Sequence, residues 1–150
     1  MIVVGIDPGI SGAVVRLEGT GLTAWRDFKT IRDIATAVQT ASPGADAIVI
    51  EAVHAMPGEG VCSVFSFGKS TGVALGSSFC THPVEPVQVS PQKWQNYFRK
   101  KHRLPKQPFK TLTRDLAAKL FPAQANLFKR KKDHGTSDAA LIALWAKETL

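Results

Sequence analysis

Asp7 closes the apolar run Ile2-Val3-Val4-Gly5-Ile6 and is followed at once by Pro8-Gly9, which sets a carboxylate at the exit of a buried strand. Asp-Pro-Gly is also an ordinary way to end a strand, because Asp caps a turn, Pro fixes φ and Gly accepts positive φ. Asp7 alone therefore does not separate chemistry from turn formation. A second short apolar run, Ile48-Val49-Ile50, also ends in a carboxylate, Glu51. If the two strands are neighbours, these groups converge at one sheet edge, where their repulsion must be relieved by a proton or a cation. Hard divalent ions held through oxygen, Mg2+ or Mn2+, suit such a site. A third carboxylate, Asp138, opens the apolar stretch Ala139-Ala140-Leu141-Ile142-Ala143. A helix this apolar must pack on the sheet and carry Asp138 toward its edge, although an Asp at a helix start also complements the helix dipole. His134 lies four residues earlier, on the same helical face if the helix begins there. Asp133 reads as a cap.

The elements that would position these groups follow from periodicity. Residues 2–7, 12–17 and 22–28 read as three strands of an antiparallel meander, separated by Pro8-Gly9 and Gly19-Thr20-Gly21. Residues 31–40 carry Ile31, Ile34, Ala35 and Val38 at helical spacing and stop at Ser42-Pro43-Gly44. That length suits a right-handed crossover returning strand 47–51 parallel to the first. A glycine-bearing loop, 54–62, precedes a helix over 65–79, in which Gly68, Gly72 and Gly76 suggest close packing against either the sheet or another helix. A fifth strand is expected at 83–89, and Ser90-Pro91 caps a helix over 92–101. After a linker with Pro105 and Pro108, helices are expected over 111–121 and 137–149. The chain reads as a single domain without internal repeats.

Charge narrows the partner class. The chain of 150 residues has a net charge of +7, but residues 93–132 hold thirteen Lys/Arg against Asp115 alone, so the rest is net acidic. A solvated helix face normally mixes signs, so this segment reads as a surface for a polyanion, nucleic acid before anionic membrane. No apolar run approaches the roughly 20 residues needed to span a bilayer. The sequence starts directly in a strand, with no basic leader, so a soluble cytoplasmic protein is expected. Cys62 and Cys80 fit neither a disulfide framework nor a zinc pair and read as reduced, buried thiols. Trp94, at helical spacing with Tyr97 and Phe98, reads as core.

With Asp7, Glu51 and Asp138 in this order on a βββαβαβαα pattern, the chain resembles the ribonuclease H-like superfamily, and within it the RuvC-type Holliday-junction resolvases. The resemblance spans nearly the whole length. It is carried by Gly5-Ile6-Asp7-Pro8-Gly9 with Ser11-Gly12, by Ile50-Glu51, by Phe65-Ser66-Phe67-Gly68-Lys69-Ser70-Thr71-Gly72 and by Ser137-Asp138-Ala139-Ala140-Leu141-Ile142-Ala143. The segment Met56-Pro57-Gly58-Glu59-Gly60-Val61 looks more like the small resolvases of bacteriophages, acting in a bacterial cytoplasm, than like the cellular enzymes. The resemblance implies an α/β protein whose five-stranded mixed sheet, three antiparallel and two parallel strands, is flanked by helices. It also implies a homodimeric endonuclease that cuts four-way DNA junctions in pairs, leaving 5′-phosphate and 3′-hydroxyl ends. Two Mg2+ ions per site, with Mn2+ as a substitute, would be held by Asp7, Glu51 and Asp138; no organic cofactor is implied.

Relatives carry a fourth acidic or histidine ligand three residues before the last Asp, where this chain has Gly135; His134, or less directly Asp133, is the candidate to replace it. Relatives also place a base-stacking aromatic three residues beyond the second carboxylate, where this chain has His54. Met56, Phe65 and Phe67 are alternatives, with both Phe also readable as core. Lys93, Arg99, Lys100, Lys101, Arg103, Lys106 and Lys110 are the candidate phosphate contacts.

Other classes fit less well. Actin-like sugar kinases share a strand-end Asp followed by glycines but need two such domains, which this length does not supply. A catalytically idle junction-binding module would have no use for three carboxylates, whereas a ribonuclease acting on RNA-DNA hybrids remains open on spacing alone.

Overall fold

Alternation along the first strand decides which way its charged end points. In the computed structural model, which describes residues 1–55, 57–83 and 85–150, β1 (Ile2–Asp7) is flanked by β2 (Ala13–Glu18) and β4 (Ala47–Glu51). β3 (Gly21–Trp25) and β5 (Val87–Val89) complete the sheet in the order β3-β2-β1-β4-β5. The β1–β2 and β2–β3 pairs are antiparallel; β1–β4 and β4–β5 are parallel, as the crossover length implied.

Successive strand residues face opposite sides. Val4 and Ile6 of β1, with Ile48 and Ile50 of β4, pack under α1 (Ile31–Ala41). Val3 and Val49 enter the other core with α3 (Pro91–His102), α4 (Thr113–Leu120) and α5 (His134–Thr149). Gly5 pairs with Val49, and Ile6 with Ile50, so one further step sets Asp7 beside Glu51 on the α5 face.

α5 comes unusually near β1 because both contact surfaces lack bulk. A Cβ on Gly5 would stand 2.2 Å from the Ala139 carbonyl oxygen and 2.7 Å from the Ala143 nitrogen. Gly5, Ala139 and Ala143 thus let the helix lie on the strand backbone, and Asp138 is carried to the strand end.

Several boundaries differ from the sequence expectation for local reasons. β3 stops at Trp25 rather than 28, since Asp27 takes a left-handed φ of 60° that turns the chain away. β5 starts at Val87 because Pro86 has no N–H to pair; Val84, in the expected strand, lies outside the described residues. The helix expected over 111–121 is a 3-10 turn at Phe109–Thr111 followed by α4. α5 begins at His134, three residues early: Ser137 is not a cap, since its hydroxyl donates back to the Asp133 carbonyl oxygen at 3.0 Å. Asp138 therefore sits in the second turn, where the dipole effect has already faded.

The largest departure is α2 (Val61–Thr81), a helix extended at both ends. It lies on α1 through Ser70, Ala74 and Ser78, while Gly68, Gly72 and Gly76 face open space with nothing within 4 Å of an added Cβ. Close packing of these glycines on the protein's own sheet is thereby ruled out. Phe65, Phe67 and Phe79 are also outside the core, at 67%, 36% and 55% exposure, and both cysteines are exposed rather than buried. Among the described residues, no helix is long and apolar enough to cross a membrane.

Candidate active site

Asp7, Glu51 and Asp138 line one cavity of about 350 Å3 together with Gly9, Ser11, Phe67, Pro91, Gln95, Lys110, Thr113 and His134. β1, β4 and α5 each contribute one carboxylate, so the site exists only in the folded chain. Burial, then the neighbouring Glu51, pushes the Asp7 carboxyl up to about 7; the Gly9 backbone N–H and the Lys110 ammonium act in the opposite direction. Asp138 is raised well above the ordinary carboxyl range, first by burial and then by Asp7 and Glu51. Glu51 is raised by burial, tempered by the Trp94 indole, whose Nε1–H donates to Glu51 Oε1 at 2.9 Å.

The trio fits a hard cation. Asp138 Oδ1 is buried without a hydrogen-bond partner, and so is the nearby Thr113 Oγ1; the hydroxyl lowers the Asp138 pKa but the two are not in bonding geometry. An orphaned buried carboxylate oxygen in a cavity shared with two further carboxylates is a group that a cation would satisfy. The oxygens have not closed on a common point, however. Among the described residues, no three His, Cys, Asp or Glu groups are arranged to hold an ion.

Sterics limit what the fourth position can carry. A Cβ at Gly135 would lie 2.5 Å from the Ser11 carbonyl oxygen, 2.7 Å from Gly12 Cα and 3.1 Å from Asp7 Oδ2. No carboxylate can be placed there while the turn after β1 keeps its path. His134 lines the cavity, as its spacing suggested. Asp133 does not: it is 1% exposed and accepts from the Arg130 backbone N–H and Nε, each at 2.8 Å, with Arg26 Nη1 at 3.0 Å. The sequence-based candidacy of Asp133 as a ligand is corrected accordingly, because its oxygens already serve an ion-pair network joining β3's exit to α5.

That network has a measurable signature. Burial pushes the Asp133 carboxyl up, but hydrogen bonds from Arg130 and the charges of Arg26 and Arg130 prevail and hold it below its ordinary value. A depressed carboxyl stabilises the fold above its unfolded pKa, and this contribution disappears as pH falls through the folded value. Asp133→Asn is expected to cost about 2–3 kcal/mol in urea unfolding at pH 7, discounted because both arginines reach solvent. The gap to wild type should close below about pH 4.

Trp94 is fully buried, as read, against Phe98 and Phe109. Its second role, orienting Glu51, was missed, because the partner is 43 residues away. The available signal was that a buried indole N–H requires an acceptor. In Trp94→Phe, Glu51 loses its donor and its pKa rises further. Any activity depending on ionised Glu51 should fall more at pH 6 than at pH 8.5, with about 1–3 kcal/mol lost in stability.

The basic residues divide. Lys110 enters the cavity. Arg99 instead donates to the carbonyl oxygens of Pro105 (2.8 Å) and Gln107 (2.7 Å) and covers the Phe109 ring. Lys101 pairs with Glu148 at 2.6 Å, and Lys93 lies over the Trp145 ring. Lys100, Arg103 and Lys106 are exposed. His54 is exposed and does not line the cavity, whereas Phe67 does; Met56 lies outside the described residues.

No family model matches the sequence, and no curated protein does. Solved structures do match. RuvC of Thermus thermophilus in complex with a Holliday junction substrate superposes with a TM-score of 0.64 at 16% identity, over 97% of this chain and 91% of that one. A Thermus thermophilus RuvC structure gives 0.60 at 22% identity, over 97% and 92%. The fold is that of RuvC, the ribonuclease H-like arrangement expected from the carboxylate order.

Proposed function

We propose that this chain is a divalent-metal-dependent endonuclease that resolves four-way DNA junctions, with Asp7, Glu51 and Asp138 as its metal ligands and His134 completing the set. The observation that carries the reading is the meeting of three half-buried, mutually repelling carboxylates in one cavity on the RuvC fold, one of them with an orphaned oxygen. Mg2+ or Mn2+ bound there in pairs would supply an activated water and charge neutralisation at the scissile phosphate and leaving 3′-oxygen.

The protein's own groups define the rest of the chemistry. Trp94 holds one Glu51 oxygen through its indole N–H, so the other would be the one to take a cation. Lys110, in the cavity lining, would set an ammonium against the negative charge that grows on the phosphate in the transition state. His134, at the cavity wall, would add a neutral ring nitrogen to the three carboxylates as the fourth group holding the ions. Phe67 offers an aromatic face at the cavity, favouring it over His54 for stacking on an unpaired base. Cleavage at the 3′-oxygen side leaves 5′-phosphate and 3′-hydroxyl ends.

Paired cutting needs two sites, and the open α2 face is a suitable surface for a homodimer. Gly68, Gly72 and Gly76, between exposed Phe65 and Phe79, would let a second helix approach closely. Light scattering should give a dimer at micromolar concentration.

The test is incubation with end-labelled four-way junction, duplex, flap and RNA-DNA hybrid in Mg2+, Mn2+ or EDTA. Metal-dependent nicks at symmetric positions in the junction are expected. Cutting of the hybrid alone would replace the resolvase reading by a ribonuclease, and tight junction binding without cleavage in either metal would leave a binding module.

A further inference from the structure

A second cleft opens beside the carboxylate cavity and shares Lys110 and His134 with it. Its volume is about 590 Å3, and it is lined by Lys110, Thr111, Arg114, Lys131, Lys132 and His134, with no acidic residue among them. One wall is the 3-10 turn and the start of α4; the other is the segment leading into α5. The two are tied by Arg114, whose Nη1 donates to the Lys129 carbonyl oxygen at 3.2 Å. Lys132 shares its charge with Asp27 at 2.9 Å, while Lys131 makes no ion pair among the described residues. The outer face of α3 has spent much of its charge internally, through Arg99, Lys101 and Lys93.

We propose that the DNA strand being cut leaves the carboxylate cavity through this cleft, with Lys131 and Arg114 contacting phosphates adjacent to the scissile one. The inference rests on the nuclease reading above and adds the course of its substrate. Two features support it together. The cleft adjoins the cavity, with Lys110 and His134 lining both, so a strand whose phosphate reaches Asp7 and Asp138 has this cleft as a neighbouring channel. Its lining is wholly cationic or neutral, which fits a phosphodiester backbone and would repel no part of it. The thirteen basic residues between 93 and 132 thereby acquire different roles. On α3, Lys93 and Lys101 engage α5 and Arg99 closes the loop that follows, whereas those at 110, 114, 131 and 132 receive the strand.

The test is junction binding by fluorescence anisotropy in EDTA, which separates affinity from cleavage, across a salt series. Each lost phosphate contact should reduce the slope of log affinity against log salt by about 0.9. Lys131→Gln with Arg114→Gln is expected to weaken binding at least fivefold and to flatten the slope by about two contacts. Arg32→Gln with Lys119→Gln, an equal charge change at exposed residues outside the cleft, should shift affinity less than twofold. Lys131→Gln alone covers the case in which loss of the Arg114 link disturbs the fold, and should give about half the change in slope. The reverse ranking of the two double variants, or equal effects, overturns the proposed course while leaving the nuclease reading intact if wild type still cuts junctions. A wild-type protein that neither prefers junctions over duplex nor cuts them overturns both.

Discussion

Asp7→Asn should abolish junction cleavage, by about 10³-fold or more, while making the metal-free protein more stable at alkaline pH. Loss of activity follows from removing one of the three carboxylates of a site suited to gather positive charge. Gain of stability follows from the same electrostatics. The Asp7 carboxyl has an ordinary value of 3.8 and stands at about 7 in the fold, so the folded chain holds this proton more tightly than the unfolded chain. Ionised Asp7 therefore costs stability above about pH 7, and the cost vanishes below about pH 4. Asparagine carries no such cost. In EDTA the variant should match wild type near pH 4 and exceed it by up to about 4 kcal/mol at pH 8, less whatever the coupled Glu51 and Asp138 absorb by keeping a proton. Adding Mn2+ should reverse the order by stabilising wild type more than the variant. Thermal melts at the two pH values, with and without Mn2+, measure all of this without a nuclease assay. A variant less stable than wild type at pH 8 would mean that Asp7 serves the turn after β1 rather than the charge cluster.

Gly5→Ala should be among the most damaging single methyls in the chain. Its Cβ would meet backbone atoms of Ala139 and Ala143 at 2.2 and 2.7 Å, neither of which can move aside as a side chain can. Either α5 lifts from β1 or the strand shifts beneath it. We expect a loss of about 3–5 kcal/mol, a fall in Tm of roughly 10 °C. Activity should fall further than stability explains, because Asp138 rides on the displaced helix and its distance from Asp7 is set by this contact. Cleavage rates measured well below the variant's Tm separate the two effects. If Gly5→Ala retains full activity, the close approach of α5 is not what positions Asp138.

The carboxylate order was readable because each acid ends or opens an apolar run, and an apolar run must enter a core. From that, and from the period of two along β1 and β4, the convergence of Asp7 and Glu51 on one face could be anticipated without coordinates. Contacts between distant segments were not readable in the same way. Trp94 reaching Glu51, Arg26 reaching Asp133 and Arg99 closing its own loop all depend on where helices land, and neither periodicity nor composition encodes that. α2 misled for a different reason. Glycine at every fourth position implies a close neighbour, but the spacing does not say whose, and here the protein's own core supplies none. Gly135 is the converse case. Its place in a ligand pattern suggested a missing donor, yet the Ser11–Gly12 turn occupies the space a side chain would need.

The most direct test is anomalous diffraction from crystals soaked in Mn2+. Two peaks about 3.5–4 Å apart are expected within the cavity bounded by Asp7, Glu51 and Asp138, both weakened or lost in Asp7→Asn. Junction-cleaving protein that binds Mn2+ elsewhere, or leaves this cavity empty at saturating Mn2+, would contradict the assignment of these three carboxylates as the catalytic metal site.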